Sequence, residues 1–574
     1  MAIIPEDLYT LQITPGNANY PLGSARNITS PGDGLGTPLD LAWINDIWGF
    51  LQKLLDDEGI VADGNADTVL LSQYMEALTA KVSRTDNDLT VLNAITTAVD
   101  QVVMNHVFRD GGAKFLSWST VDPGGSVRLL NIMFAYIINN TSISININGP
   151  VDAFNLIGSY IEACKNNGII FGLNVVADQD DWKALNINST VFRNIAATAG
   201  QEAAACKIFG KYHSIVNNVI DNIVGAAGEE TSGIASQTRY GVFANNRIDG
   251  IVEGSGSTAW GIKLLGQNRL GAGSGPQGFA NVVANNIINL PDNGIGIESG
   301  SDDHIITGNL IEGAALEGIL HAVKSVNRVS SIGNTIVSLT KPVGSIGISA
   351  NINGQCENVS ENIIDNQETG IYVGSTLGKS VMSITGNKIN DCDDPIVIDP
   401  TGAMSELIIT NNVIKGSGTN AIRIDGTVNN LIIKDNIIDG YTNFVEWLEA
   451  DAPTNYLILQ DNLKAQTTDN TPLNIFSLPL AEETAVMIKV TVIALQTNGV
   501  NRGFYERIHT FYRRTAGNVT AQSVPDSLVL KESDSTWDVA FFSTATEFGI
   551  NVKGNTGLDI TWNLNVEISC MQVA

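Results

Sequence analysis

The sequence predicts a mainly β chain whose body is a right-handed parallel β-helix, with a small helical region in front and a C-terminal β-sandwich behind. Three observations carry that prediction. The first is a unit of two or three β-formers, a small or polar residue, an Asn and two more apolar residues, as in VVANNIINL (282–290), IITGNLIEG (305–313) and IITNNVIKG (408–416). Its anchors are Asn194, Asn218, Asn246, Asn268, Asn286, Asn309, Asn334, Asn362, Asn387, Asn412, Asn436 and Asn462, about 24 residues apart on average. The second is a strand between anchors, as in Ile295-Gly296-Ile297, Ile346-Gly347-Ile348, Ile371-Tyr372-Val373 and Ile422-Arg423-Ile424. The third is composition: 43% hydrophobic residues, 56 Gly and only 16% charged residues in a chain of 574. A repeat of this length is too short for a propeller blade and lacks the helix of a βαβ unit. Isoleucine dominates where a leucine-rich repeat would show regular leucines. Coils stacked about 4.8 Å apart satisfy all three observations. The anchor amide is costly to bury unless it pairs, and a ladder of identical amides pairs itself. The interval of 18 between anchors Asn268 and Asn286 is the weakest match, and a misregistered rung is expected there.

In front of the coil, residues 1–40 are turn-rich. Apolar residues recur at helical spacing over 38–55, with Asp56 to Gly59 ending the run, and again over Ser72–Val82. A third amphipathic helix is expected over Asp86–Phe108, from Leu89, Leu92, Ile95, Val99, Val102 and Val103. The expected organisation is therefore residues 1–82 as an adaptor, 83–130 as a helical neck and linker, and 131–464 as the β-helix. Its front cover is expected from residues around 130–180 and its back cover from Phe444–Leu463. Residues 465–483 are read as a linker or end cap. Residues 484–574 divide into short β-rich segments read as a sandwich, in which Arg502, Arg507, Arg513 and Arg514 interleave with Phe504, Tyr505, Phe511 and Tyr512.

Acidic residues number 60 against 32 Lys plus Arg, a net charge of -28. A general nucleic-acid binder is excluded, since phosphate contacts need a cationic surface. The five cysteines form no CxxC pair and no disulfide framework. The first residues lack a basic region followed by an apolar stretch, so no signal peptide is expected. No apolar run reaches the roughly 20 residues that span a bilayer.

The segment Gly36-Thr37-Pro38-Leu39-Asp40-Leu41-Ala42-Trp43-Ile44-Asn45-Asp46-Ile47-Trp48-Gly49-Phe50 resembles the leading segment of phage tail fibre and tailspike proteins, as does Gly64-Asn65-Ala66-Asp67-Thr68 with Ser72-Gln73-Tyr74. Met487 through Phe542, including Asn501-Arg502-Gly503-Phe504-Tyr505-Glu506-Arg507, is similar to a β-rich terminal domain of such proteins. The layout of adaptor, neck, coil and terminal β-domain looks like that of a bacteriophage tailspike over nearly the whole chain. The repeat alone is shared with pectate lyases, polygalacturonases and adhesins. The resemblance implies a homotrimer, attachment to the phage tail through the N terminus, and binding and usually cleavage of a bacterial surface polysaccharide such as lipopolysaccharide O-antigen or capsule. It implies assembly in the host cytoplasm and action at the bacterial outer surface.

Glycoside cleavage needs two carboxyl groups about 5–5.5 Å apart for retention or 6.5–9.5 Å for inversion. Coil stacking supplies such distances. The fourth position of the central strand is read as Leu265, Glu298, Ser349, Gly374, Asp399 and Asp425, and the second as Lys263, Gly296, Gly347, Tyr372, Val397 and Arg423. Glu298 with Glu317 is the first acid–base pair expected, with Asp302 or Asp303 as substitute. Asp399 and Asp425 form a second cluster with Arg423. Expected sugar contacts are His304, His321, Arg423, Lys263, Tyr372, Trp260 and Trp447, the last of which could instead close the bottom of the coil. A lyase would need a base and a cation, from Lys263 with His304 or His321, or from Arg423 with Asp399. No cofactor is required; calcium held by Glu298, Asp302 and Asp303 is a minor alternative. A binding-only adhesin and an inert spacer remain as competing readings, and for each carboxylate so does a turn cap or solvated face.

Overall fold

The computed structural model describes residues 13–15, 24–25, 41–57, 59–62, 73–74, 77, 99–104, 107–109, 116–118, 127–139, 143–147, 151–172, 184–265, 280–289, 291–297, 303–321, 328–351, 357–375, 381–400, 402–447, 453, 455–522, 526–532 and 534–572. The helix Leu41–Asp57 forms as its spacing predicts. Gly59 ends it at φ 63°, with its N–H bonded to Asp56 O and that of Ile60 to Leu55 O, a left-handed C-terminal cap. Its Leu54 and Leu55 pack with Ala77 and Tyr74; Gln73, Tyr74 and Ala77 are helical.

The body is a right-handed parallel β-helix. Each coil runs through three sheets in turn. Sheet 1 extends from Val99–Met104 to Asn455–Thr467, sheet 2 from Val107–Arg109 to Ile437–Asn443, and sheet 3 from Leu116–Trp118 to Glu446–Trp447. Sheets 2 and 3 have 13 strands each. Isoleucines 220, 248, 288, 311, 336, 364, 389 and 414 stack one above another in sheet 2 with no exposed surface.

The corner between sheets 1 and 2 explains the Asn signature. The residue before each rung from Asn218 to Asn436 adopts the left-handed conformation, as in Asn217 (φ 59°), Gly308 (φ 64°) and Asn411 (φ 58°). That is the small or polar position of the repeat, and Gly and Asn tolerate this geometry best. The anchor then turns inward. Asn334 shows the pattern. Its Oδ1 accepts the Asn309 backbone N–H at 3.0 Å and the Asn309 Nδ2 at 2.9 Å. Its Nδ2 donates to Asn362 Oδ1 at 2.9 Å and Ile306 O at 3.0 Å. Both donor hydrogens and both lone pairs are used. The ladder runs unbroken from Asn218 to Asn436. Thr190 N–H meets its upper end and Gln460 Nε2 its lower end.

Sheet 3 carries a second, steric ladder. Gly233, Gly261, Gly294, Gly318, Gly347 and Gly370 stand at one coil position. A Cβ on Gly318 would lie 2.6 Å from both Gly347 O and Ile336 Cγ2, so these coils leave no room for a side chain there, while Ala205 before the run and Pro395 and Ala421 after it take the same position.

Several expectations are corrected. The helix over Asp86–Phe108 is replaced, where described, by strands Val99–Met104 and Val107–Arg109. Valines spaced by threes and fours also satisfy a strand that pairs with the next coil, and β-branching favours it. The coil therefore begins by Val99 rather than at 131, and residues around 130–180 form coils rather than a cover. Asn246 bonds directly to Asn286, so the coil between them is one long turn and Asn268, outside the described residues, is no rung of that ladder. Asn194 lies exposed on the outside, accepting from Asn222 Nδ2. The Asn462 side chain lies outside the described residues. Ile348, not Ile346, is the partner of Ile319 and Ile371; Ser349 thus aligns with Tyr372, at position two rather than four.

The range 465–483 is not simply a linker. Strand Asn455–Thr467 pairs parallel with Val428–Lys434 of the coil and antiparallel with Ile560–Gln572. It thereby joins sheet 1 to a long antiparallel sheet containing Thr484–Gln496, Arg502–Arg513 and Asp526–Glu532. A three-stranded sheet, Leu473–Pro479, Glu547–Lys553 and Asp538–Ser543, faces it through the stacked pair Phe511–Phe548, 5.7 Å apart.

Replacing Asn334 by Leu orphans the Asn309 N–H and takes the Asn309 amide's acceptor, one donor to Asn362 Oδ1 and one donor to Ile306 O. An orphaned buried group costs about 1–3 kcal/mol, so N334L is expected to lower stability by at least ~3 kcal/mol, whereas N194A changes it by less than ~1 kcal/mol. Denaturant midpoints of the two variants check this.

Candidate functional site

The outer face of sheet 3 is set by register. Trp260, Asn293, Glu317, Ile346, Thr369 and Asp394 occupy one row. Lys263, Gly296, Leu320, Ser349, Tyr372, Val397 and Arg423 occupy the next. The first row points outward: the Trp260 ring lies across Gly296, where a Cβ would meet it at 2.1 Å, and Asp394 reaches Arg423. Glu317 shares that row. Its backbone N–H is held by Asn293 Oδ1 at 3.1 Å, and partial burial raises its pKa.

One coil before Glu317, Asp292 sits at the corner leading into sheet 3. Its Oδ2 accepts the Ala259 N–H at 2.7 Å. Glu253 hydrogen-bonds to it, and the Asp292 charge raises the Glu253 pKa. Neither acid was singled out from the sequence. For Asp292 a signal was present: Asp292, Glu368 and Asp393 share one coil position, a column that only the true register reveals.

The remaining candidates separate by environment. Glu298 and Asp302 lie outside the described residues. Ile297, the last described residue before Glu298, pairs with His321, four residues beyond Glu317 and about 13 Å along the strand. Asp303 occupies a left-handed corner at φ 62° and bonds Arg328 Nε and Nη2, which holds its carboxyl below the usual range. Lys263 is buried, with Nζ 2.7 Å from Glu230 and 5.1 Å from the Trp260 ring centre. Trp260 is only 9% exposed, so its ring is a wall rather than an open platform. Arg423 Nε bonds Asp425 at 2.7 Å and Nη1 bonds Asp394 at 3.0 Å. Tyr372 OH donates to Asp399 at 3.2 Å; burial, then Asp399, raises its pKa. Asp399 and Asp425 do share a coil position, as read from the sequence. Trp447 closes the bottom of the coil, with Nε1 on Pro479 O at 3.1 Å.

The histidines are interior, which corrects their reading as sugar contacts. His304 and His321 have no exposed surface. His304 Nδ1 accepts from Asn281 N–H at 3.3 Å. His321 bridges the Glu357 carboxylate and Ser331 Oγ, the latter at 2.9 Å. This Ser–His–Glu array is sealed inside the coil, where no substrate reaches it. The sequence pattern misleads here because inward and outward positions alternate and a polar residue at either looks the same. Among the described residues no group of three His, Cys, Asp or Glu is placed to hold a metal.

No family model matches the sequence, and no curated protein does. Solved structures similar to the chain include phage tailspikes. One is a double mutant of the tailspike protein of E. coli bacteriophage HK620 in complex with a pentasaccharide: 10% identity, TM-score 0.40, covering 91% of this chain and 94% of that one. Another is a tailspike protein of Acinetobacter baumannii bacteriophage Fri1, a capsular polysaccharide depolymerase: 8% identity, TM-score 0.22, covering 85% and 84%. A third is PfbA, a surface adhesin of Streptococcus pneumoniae: 12% identity, TM-score 0.30, covering 68% and 92%.

Burial holds His213 at a pKa of about 4 and His304 at about 3. Both lie below the unfolded value of about 6.5, so the unfolded chain binds more protons in acid. Their contribution is complete above about pH 6.5 and is lost as pH falls towards 4, by about 1.4 kcal/mol per pH unit for each. Unfolding midpoints measured from pH 7 to 4 should fall, and the His213→Gln variant should show a shallower slope.

Proposed function

We propose that the chain is a bacteriophage tailspike subunit that binds and cleaves a bacterial surface polysaccharide as an endo-glycosidase. The observation that carries this reading is the half-buried Glu317 carboxyl on the outer face of sheet 3, with Asp292 one coil away. Coil spacing and a one-residue offset put their Cα atoms about 6 Å apart, compatible with a carboxyl pair flanking a glycosidic bond. Glu317, with its raised pKa, is the general acid that protonates the leaving oxygen. Asp292, fixed by the Ala259 N–H, is the base or nucleophile. Glu298 is the alternative partner from the sequence reading. Further along the same face, Tyr372, Asp399, Arg423 and Asp425 line the path of the bound chain. Hydrolysis is favoured over elimination because Lys263 is tied to Glu230, His304 and His321 are sealed inside, and in the remaining pair, Arg423 with Asp399, the guanidinium is engaged by Asp425 and Asp394.

The tailspike assignment rests on the leading Gly36–Phe50 segment and the layout of adaptor, coil and terminal β-region. It carries a homotrimer attached to the phage tail through residues 1–82, a C-terminal β-sandwich serving trimerisation or carbohydrate binding, assembly in the host cytoplasm and action at the bacterial surface.

The test is release of new reducing ends from host O-antigen or capsule. Glu317→Gln should lose about 10²–10⁴-fold, the usual worth of a general acid. Asp292→Asn and Glu298→Gln, assayed side by side, identify the partner, while Asp303→Asn stays near wild type. The alkaline limb of the wild-type rate profile should lie above the ordinary carboxylate range and vanish in Glu317→Gln. Full activity in Glu317→Gln overturns the assignment; binding without new ends makes the protein an adhesin, and unsaturated ends make it a lyase.

A further inference from the structure

The three outer faces of the coil differ sharply in charge. On sheet 2 one outward row carries Glu162, Asp221, Asp249, Glu312, Asp365 and Asp439, with Arg193 and Lys415 among them. Sheet 3 carries the acids and bases of the candidate site. Sheet 1 is different. Its outward row from Asn131 through Ser214, Val282 and Ile305 to Leu457 contains no charged residue. The neighbouring row from Met133 to Leu459 contains one, Lys434. In a chain of net charge -28 such a face is improbable by chance over so many coils.

Its polar groups are largely used within the face. Asn155 bonds Asn131 at 2.7 Å and Asn186 bonds Asn155 at 3.2 Å, and Ser383, Thr385 and Thr410 form a hydroxyl row. Covering them therefore costs little desolvation. Apolar groups project beside them: Val242 is 39% exposed and Ile305 45%. At one edge Tyr212 and Tyr240 stack at 5.3 Å, both exposed and both left-handed, at φ 60° and 58°, a conformation unfavourable for a bulky residue. The face also continues into the terminal sheet. Leu457 lies opposite Ser569, and Ser569 opposite Met487, so exposed Met487, Ile493 and Leu495 extend the same side.

We propose that the outer face of sheet 1, with its continuation through Leu457 and Met487, is the surface on which a second copy of this chain packs. Two copies carrying this net charge repel wherever their acids approach; along the coils of sheet 1 these two rows meet with only Lys434 charged on each copy, and on the continuation Lys489 is paired with Glu506 beside Glu567. It has no basic cluster for a membrane surface, and its flatness offers no cleft for a sugar chain. The assignment rests on the oligomeric reading above and adds to it which face is covered. It leaves sheets 2 and 3 outward, with the candidate site accessible.

The experiment is sedimentation of the full-length protein. Wild type should run as an assembly of several chains. Ala284→Glu with Thr307→Glu, paired on sheet 1, should raise the dissociation constant at least tenfold, and Leu310→Glu with Thr335→Glu, paired on sheet 2, should leave it unchanged. A single-chain wild type overturns the oligomer and this assignment together. An assembled wild type with an equally assembled sheet 1 variant, or a dissociated sheet 2 variant, overturns the face alone. Should the sheet 1 variant fail to fold, Ser330→Cys and Thr335→Cys, each in a Cys356→Ser background with a short bis-maleimide, decide instead. Cross-linking between chains is expected at Ser330 and not at Thr335, and the reverse overturns the proposal.

Discussion

A buried carboxamide must find four partners, and in this fold it finds two of them only in the same residue of the coils above and below. Everything else depends on that constraint. A coil that slipped by one residue would orphan donors in two neighbours at once, so the ladder from Asn218 to Asn436 locks register far more tightly than apolar stacking alone. The bond direction is uniform: each Oδ1 accepts from the coil before it. The ladder therefore has a distinct beginning and end, met by different groups: the Thr190 backbone N–H on Asn218 Oδ1 and the Gln460 Nε2 on the Asn436 backbone O.

The glycine row fixes the opposite corner by exclusion rather than by pairing. Between an amide corner that demands partners and a glycine corner that refuses a methyl group, each coil of sheet 3 has little freedom. Outward side chains inherit that precision. Glu317 and Asp292 are positioned by the lattice and one backbone hydrogen bond each, not by a dedicated loop. The same lattice allows each face to carry its own chemistry: acids interspersed with a few bases on sheet 2, ionisable groups beside aromatic rings on sheet 3, amides and hydroxyls on sheet 1.

The body of the fold was legible because Asn inside an apolar run is costly, so its recurrence needs a shared cause. Legibility failed where that logic was silent. Val99, Val102 and Val103 satisfy helical and strand spacing alike. Asn194 has the right identity but not the inward turn. Ile346-Gly347-Ile348 resembles Ile295-Gly296-Ile297, yet the glycine before Ile348 corresponds to Gly294, which shifts the frame by two. At the site, Asp399 and Asp425 share a coil position as their spacing implies, whereas spacing alone assigns Glu317 no face. The histidines were misplaced, since a polar residue inside a coil announces itself no differently from one outside. Asp292 and Glu253 escaped because their meeting depends on a corner geometry that no local pattern encodes.

Strand Asn455–Thr467 has one further consequence. It is the last parallel strand of sheet 1, and its outer edge pairs with Ile560–Gln572, a strand that lies far along the chain. During synthesis every coil upstream can assemble as it leaves the ribosome, yet the rod keeps a raw, strand-accepting end until that distant strand has emerged. A chain cut short between the two would therefore be not a shorter working rod but one with an adhesive tip.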